Sequence, residues 1–558
     1  MISWEDLKIK LIEFWHEYRR FKIGLAGLAL LIIVVSIAVG AWIFLPKEAF
    51  YEWNTWSEWA KNPKRAPPEW VNMFSSIKYT PPQDFVIEGK DVSKEKARMD
   101  FESEIKNMVE QLRKVMEEQG ITDEEKFAEM MSEMLGIKPP VKTLEELAMK
   151  ILGIDLEELE KKYKGRFIVY IINYDYQWDV PTQDIIIRFK EPLYITVKGA
   201  INKTEITVMI TFMRPDGLNI TASTKLGNGT DILYPLGIIR NDRQAKMYIM
   251  NDIIRKYDKE AAELSARELE SYVEGASLAV ILFSKAGDGM IYGKSGSLRG
   301  KYVIHIEFIA PENTTFAKIP EMNVRFVGSC YGLLGTDVMG RDLFMGIAFG
   351  AGLALAVGIA YAVSVVLIGL FYGTTSAYLG GLADEIMQRI NEIVLTIPVL
   401  PILILVAYYL RSIGVQLSVW HVIGVYILLA WSGSAIVVRS MALQIKAQPY
   451  IEAARAVGAS GVRIVTKYML PQLIPYAFAS MALAVPAAIL IEAGLSFLGL
   501  GESRFPTWGR ILQDAHRLGA ITDWWWIIPP GIMIMVTSLA FVFIGNALDT
   551  ILNPKLRR

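Results

Sequence analysis

Few residue types in this chain could do covalent chemistry, and none is spaced for it. The four histidines, His16, His305, His421 and His516, stand far apart without metal-ligand spacing, so no metal site is expected. The single cysteine, Cys330, excludes an internal disulfide. Gly293-Lys294-Ser295 has the ending of a phosphate-binding loop, but that motif would need its first glycine at 288, where Asp288 stands. ATP hydrolysis by this chain is therefore not expected. A net charge of −1 gives no field that would gather nucleic acid.

What the residues can do is dock. Glu452-Ala453-Ala454-Arg455-Ala456-Val457-Gly458-Ala459 is a narrow helix of small residues, with Glu452 and Arg455 offering charges to orient it in a cleft. Ile464 and Leu470-Pro471 follow, and Pro471 is expected to stop the segment. As bare composition, the alternative is a small amphipathic helix lying on a bilayer.

Long apolar runs must position that segment. Hydrophobic residues make up 52% of 558 and charged ones 21%, and the two are segregated. Charge crowds into residues 50–330, whereas the last 230 or so are dominated by apolar runs. A spanning helix needs about 20 apolar residues. The first span is read at 23–45, too long for a cleaved leader and without a small-residue cleavage site at its end. Lys8, Lys10, Arg19, Arg20 and Lys22 precede it and place residues 1–22 in the cytoplasm. Five more spans are read at 350–372, 393–411, 419–438, 473–495 and 525–547. Arg439, Lys446, Arg455, Arg463 and Lys467 then fall in an inside loop, 441–471, and Lys555, Arg557 and Arg558 in an inside tail. Both termini are cytoplasmic on this count, and residues 46–340 lie outside.

The exterior part, 46–330, reads as an α+β insertion large enough for its own core. Ile105, Met108, Val109, Leu112, Val115 and Met116 keep helical spacing up to Gly120. Thr122-x-x-Glu125 and Thr143-x-x-Glu146 read as capping boxes, and Met130, Met131 and Met134 as core. From 167 the segments FIVYIINYDY, DIIIRFK, LYITVKG, TEITVMITF and KYVIHIEFIA read as strands, and SLAVILF (277–283) as a buried strand or helix. Asn202, Asn219, Asn228 and Asn313 open the N-x-Ser/Thr sequons, all in this outside stretch, and are candidate glycosylation sites. The Lys-, Glu- and Ile-rich, Cys-poor usage points to a thermophilic host.

Taken as a whole, the pattern Glu452-Ala453-Ala454, Gly458 six positions after the glutamate, then Ile464 and Leu470-Pro471, resembles the EAA loop of ABC importer permeases. Leu334–Leu343 (LGTDVMGRDL) resembles the GTDxxGRD stretch of the dipeptide/oligopeptide permease C subunits, and Ile491–Gly501 (IEAGLSFLGLG), Trp508-Gly509 and Trp524–Gly531 (WWWIIPPG) match the same family. The resemblance is close over about 330–558 and loose over 23–45. The chain departs from it at Phe344-Met345-Gly346, at Gly350–Ala354, at Gly545–Asp549 and in the long insertion.

The resemblance implies a polytopic α-helical membrane protein of six spans with the type I ABC importer fold, carrying an extracellular α+β insertion. It implies that Glu452, Ala453, Ala454, Arg455, Gly458, Leu470 and Pro471 couple to an ATPase. The implied partners are a homologous second permease, two ATPase subunits that hold ATP and magnesium, an extracellular substrate-binding protein and the bilayer. No cofactor belongs to this chain. Di- or oligopeptides are the implied cargo, with oligosaccharides and nickel as alternatives within the family. From another class, a membrane receptor with 46–340 as ligand-binding ectodomain is the competing reading. Gly335, Thr336, Asp337, Gly340, Arg341 and Asp342 form an outer-mouth motif, expected to be a salt-bridged cap. Asp384, Glu385, Arg389 and Glu392 are expected to snorkel at a membrane face, and Glu492, in an apolar run, is a candidate for the pathway or a subunit interface.

Overall fold

Runs that are apolar on every face cannot rest in water, and here they set the helix lengths. The computed structural model describes residues 13–55, 59–88, 90–137, 140–151, 166–183, 185–190, 194–197, 205–227, 232–233, 257–259, 263, 265, 278–290, 295–309, 314–319, 321–502 and 504–552. Its chain divides into two compact units, one formed by Met1–Glu69 with Tyr331–Arg558 and the other by Trp70–Cys330.

In chain order, the first unit opens with α1 (Lys22–Phe44), 23 residues, about 34 Å at 1.5 Å per residue. The preceding turn is tied on by Tyr18, whose hydroxyl donates to the Gly24 carbonyl at 2.9 Å while its ring packs on Ala547 and Ile551. The short α2 (Glu48–Tyr51) follows. Residues 46–69 were expected to begin the insertion but belong to the membrane unit. The reason is aromatic: Phe50, Trp53 and Trp59 are buried in the same core as Leu343, Phe349 and Trp508.

The second unit starts with α3 (Val71–Phe74), then β1 (Gln83–Ile87) and β2 (Lys90–Ser93). Helices α4 (Lys94–Glu118), α5 (Glu124–Met134) and α6 (Leu144–Ile151) share a small core built on Leu112, Met116, Phe127, Leu144 and Leu147. Gly120, at φ +68°, follows the end of α4. The two expected capping boxes need correction. Asp123, not Thr122, caps α5, accepting from Lys126 N at 3.4 Å, because Asp123 is the extended residue directly before the helix. Thr143 does accept from Glu146 N, at 3.2 Å, but the Glu146 carboxylate turns to Lys142 N. The methionine stripe is also not core as expected. Met131 alone packs inward, whereas Met130 and Met134 are exposed, Met130 off the face that Phe127 and Ala128 occupy and Met134 as the last residue of α5.

Among the described residues, nine strands and a short helix complete this unit: β3 (Arg166–Tyr176), β4 (Ile185–Phe189), β5 (Tyr194–Val197), β6 (Glu205–Met213), β7 (Asn219–Gly227), β8 (Ile232–Leu233), α7 (Leu278–Phe283), β9 (Gly300–Ile309), β10 (Thr314–Ile319) and β11 (Met322–Phe326). They form antiparallel sheets in the orders β1-β11-β4-β8, β2-β10-β5 and β3-β9-β6-β7. Alternation selects the inner face: Tyr302, Ile304, Ile306 and Phe308 of β9 are buried and their neighbours are not. The first and third sheets share one core, into which α7 inserts Ile281, Leu282 and Phe283. Within the described residues that run is thus helix, Leu278–Phe283.

The chain returns to the first unit with α8 (Leu343–Leu379), α9 (Gly381–Thr396), α10 (Val399–Ser412), α11 (Val419–Lys446), α12 (Pro449–Ala456), α13 (Gly461–Ile464), a π-helical turn at Val465–Met469, α14 (Leu470–Phe497), α15 (Trp508–Arg517) and α16 (Trp524–Leu552). Among the described residues five helices are long and apolar enough to span, and six if the bent pair α9–α10 counts as one. That pair corrects the straight span expected at 393–411. Its helices meet at 71°, because Pro398 denies Ile397 the helical region and leaves it extended at ψ 123°.

Candidate functional site

The docking segment is assembled by local rules. Pro449 starts α12, with φ preset and no amide to satisfy. Glu452 sits in the first turn and Arg455 in the last, each on the side of the helix dipole that favours its charge. Gly458, at φ +84°, reverses the chain, and the amides of Val457, Gly458 and Ala459 close the end on Ala453, Arg455 and Ala454 carbonyls at 3.0–3.1 Å. Ser460 then caps α13, accepting from Arg463 N at 3.4 Å.

One side of the segment is anchored. Ile451, Ile464, Met469, Leu470 and Leu473 are buried with Val366, Leu370, Ala377, Val438 and Ala442 of α8 and α11. The other side is open: Glu452, Ala453, Arg455 and Ala456 are exposed, Ala454 is half-buried, and Val457 is 89% exposed. An apolar side chain left that bare beside a charged pair has the composition of a docking surface. The Arg455 guanidinium lies 6.0 Å from the Tyr378 ring centroid, within cation–π range. Val457, Val462 and Tyr378 join the site, and the motif itself did not signal them.

Pro471 does not stop the segment, as was expected of it. Gly461–Phe497 runs as one spanning helix. Pro471 has no amide to donate, and the turn before it widens so that Leu470 N donates to Val465 O. The docking segment is therefore continuous with the span that follows.

Behind it, Asp384 does not merely snorkel. It accepts two bonds from Arg439, at 2.8 and 2.6 Å, and one from the Ser376 hydroxyl, joining α8, α9 and α11. Lys446 Nζ donates to the Ala377 carbonyl at 2.8 Å. Arg389 and Glu392 pair with each other at an exposed position. The 55-residue separation of Asp384 and Arg439 hid their pairing from local pattern.

At the other end of the bundle the 335–342 motif is packed rather than presented. Thr336 Oγ1 donates to the Pro63 carbonyl at 2.6 Å and accepts from Ala66 N at 3.0 Å. Gly335, at φ +73°, lies against the Ala66 carbonyl, where a β-carbon would not fit. Gly340, which also turns with positive φ, accepts from Asn62 Nδ2 at 3.0 Å. Arg341 donates to Asp337 and, at 2.6 Å, to Asp514, with its guanidinium 4.9 Å from the Trp53 centroid. Burial works to lower the basicity of Arg341, and the two carboxylates outweigh it, so the group is held above its ordinary value. Burial lowers that of Arg510, which donates to Asn54 at 2.6 Å. Asp342 caps α8, accepting from Phe344 N at 2.8 Å and Met345 N at 3.3 Å. Burial, against those two bonds, pushes its carboxyl from 3.8 to about 6.

Glu492 lies inside the subunit, accepting from the Ser496 hydroxyl at 2.7 Å, and faces no open surface of this chain. Glu502, also buried, accepts from Val419 N at 3.1 Å and so caps α11. Asn219 begins β7 and is exposed, while Asn202, Asn228 and Asn313 lie outside the described residues. No group of three or more metal ligands occurs among the described residues.

Comparison with known proteins points the same way. Residues 365–558 match the family model described as the binding-protein-dependent transport system inner membrane component. The dipeptide transport system permease protein of Bacillus subtilis is 36% identical over 253 residues, which is 45% of this chain and 77% of that protein. The oligopeptide transport system permease protein of the same organism is 35% identical over 226 residues, 40% of this chain and 72% of the relative. That of Escherichia coli K12 is 36% identical over 225 residues, with the same coverages.

Proposed function

The chain belongs to the permeases of binding-protein-dependent ABC importers, in the group of its dipeptide and oligopeptide relatives, and on that premise we propose that it forms half of a translocation path for di- and oligopeptides. ATP hydrolysis falls to partner subunits. A second permease completes the path, two ATPases carry ATP and magnesium, and a binding protein delivers the peptide. Positive-inside charge supports a cytoplasmic location for the end bearing α12, which leaves the unit Trp70–Cys330 outside. There its proposed role is to dock or shield the binding protein.

The observation that carries the proposal is the build of α12. Glu452, Arg455 and Val457 are exposed on one side, and Ile451 and Ile464 are locked to the bundle on the other. An ATPase that grips the exposed side and closes on ATP moves a span, because Ile451 of α12 is packed with Ile464, Met469, Leu470 and Leu473 of the continuous helix Gly461–Phe497. ATP drives the switch to the extent that it binds the closed ATPase pair more tightly than the open one. Pushing requires no bond chemistry in this chain, only stiffness.

The test is ATP-dependent peptide uptake by the assembled transporter in proteoliposomes. Glu452→Lys reverses an orienting charge at a contact, an effect of about 2–5 kcal/mol where such charges are buried by a partner. Uptake should fall at least tenfold, as about 1.4 kcal/mol suffices for that. Gly458→Asp should do the same by straining the left-handed turn. Uptake at the wild-type rate in both variants would rule the coupling role out. A receptor, the competing class, would not carry ATPase subunits through purification by way of 441–471. Peptide over oligosaccharide rests on the relatives alone, and competition of uptake by each class of solute decides between them.

A further inference from the structure

The inserted unit opens on WVNMFSSIKY, Trp70–Tyr79, a segment that hides its polar groups and shows its apolar ones. Asn72 closes the loop on itself. Its side-chain oxygen accepts from Tyr79 N at 2.7 Å, and Nδ2 donates to the Tyr79 carbonyl at 2.9 Å. Lys78 N donates to Asp179 at 3.0 Å, and Lys78 Nζ donates to the Asn72 carbonyl. Tyr79 bridges to Val180, so the neck of the loop is stapled to the body of its unit. Within the tip, Ser75 N donates to the Val71 carbonyl at 2.9 Å and Ile77 N to the Ser75 hydroxyl at 3.1 Å.

These bonds leave Met73 71% and Phe74 81% exposed, with Ile77 half-exposed and the Trp70 ring 6.4 Å from that of Phe74. A flexible loop could fold such side chains away. This one holds them out, and a contiguous apolar tip on a rigid neck is a contact surface.

Chain connectivity names the occupant. Ala66 donates to Thr336 Oγ1 at 3.0 Å, and the Thr336 carbonyl accepts from Trp525 Nε1 at 3.4 Å, in the first turn of the last span. Glu69 then exchanges two bonds with Gly332, at 3.1 and 2.9 Å. From Glu69 to Phe74 an extended chain covers at most about 18 Å. Connectivity alone therefore keeps Phe74 within that distance of Glu69. Trp with Phe, Met and Ile is also the composition of segments that bury an apolar face about 5–10 Å into the lipid boundary.

We propose that Trp70, Met73, Phe74 and Ile77 form a foot that beds in the headgroup boundary of the bilayer, so that lipid itself restrains the inserted unit. This inference needs only the spans to cross a membrane, and it stands whether or not peptides are the cargo.

The test uses the full chain in nanodiscs of phosphatidylcholine and phosphatidylglycerol. In a Cys330→Ala background, an environment-sensitive dye is placed at Phe74→Cys, Met73→Cys or, as an exposed control within the same unit, Met134→Cys. A foot in the interface predicts quenching of the first two by headgroup-level nitroxide lipids. Iodide should quench them about fivefold less than the control, as expected for side chains buried in the acyl boundary. Equal iodide quenching at all three sites overturns the proposal. So does protection that arises only when the substrate-binding protein is added, since that outcome assigns the tip to a protein partner. Two adjacent positions are read so that a label disturbing one does not leave the question open.

Discussion

The two ends of the bundle solve opposite problems with the same kinds of residue. At the end bearing 331–342, the charges of Asp337, Arg341 and Asp514 are drawn together beside Trp53, with Asp337 and Arg341 almost wholly withdrawn from solvent. At the end bearing α12, Glu452 and Arg455 are left exposed. Buried charges gain strength from each other only by giving up water, so the first arrangement fixes geometry. Exposed charges contribute little to the fold and remain available to a partner. One end is built to stay as it is, and the other is left open to a partner.

The sharpest way to break that contrast is to cut the buried group. Arg341→Met strands two carboxylates, and a loss of about 3–5 kcal/mol is expected, read as a lowered melting temperature in detergent. Glu452→Lys, expected to cut uptake at least tenfold, should leave stability within about 0.5 kcal/mol. If the two variants melted alike, the division between holding and gripping would fail.

A smaller effect is expected between the extremes. Arg439→Gln removes two charged hydrogen bonds from Asp384 at a position only partly withdrawn from solvent, and should cost about 2 kcal/mol. Because Asp384 joins α8, α9 and α11 behind the docking segment, uptake should fall more than stability does. Equal losses would make the pair a staple only.

A pH effect comparable to the Arg439 loss is expected at the packed end. With the Asp342 carboxyl raised from 3.8 to about 6, the folded chain holds more protons than the unfolded one between those values. Stability from this group is therefore greatest below pH 3.8 and declines as pH rises through about 6. The full swing is up to about 3 kcal/mol at 1.36 kcal/mol per unit. Asp342→Asn keeps an acceptor for Phe344 N and removes the titration. The difference in unfolding free energy between variant and wild type should change across that window and be flat above it.

How much of this was legible in the sequence follows from the range of each interaction. The docking helix was, because Pro449, Glu452, Arg455 and Gly458 act within one or two turns. The spans were also visible, since apolar runs need no partner to be recognised, but hydropathy averages over a break. It passed through Pro398 and merged two helices that meet at 71°. The long β-branched strands β3, β6 and β9 announced themselves, whereas the short β1, β10 and β11 did not. They owe their pairing to strands far along the chain, as Gln83 does to Phe326. The same distance hid Asp384 with Arg439 and Arg341 with Asp514. Pro471 misled for another reason: a proline in a first turn starts a helix as readily as it ends one.

The length of α8 has a consequence for how the transporter meets water. Its 37 residues make a rod of about 55 Å, while a bilayer with its headgroups measures about 40–45 Å. A tilt of about 20° shortens the projection only to about 52 Å, so the rod stands proud of the lipid by roughly one to two turns. One end of α8 is capped by the packed residues around Asp342, and Ala377 at the other is buried with Ile451 and Ile464 of the docking segment. On the proposed coupling role, the surplus length would act as a stilt, lifting α12 clear of the headgroups so that a bulky soluble motor could reach it without indenting the membrane.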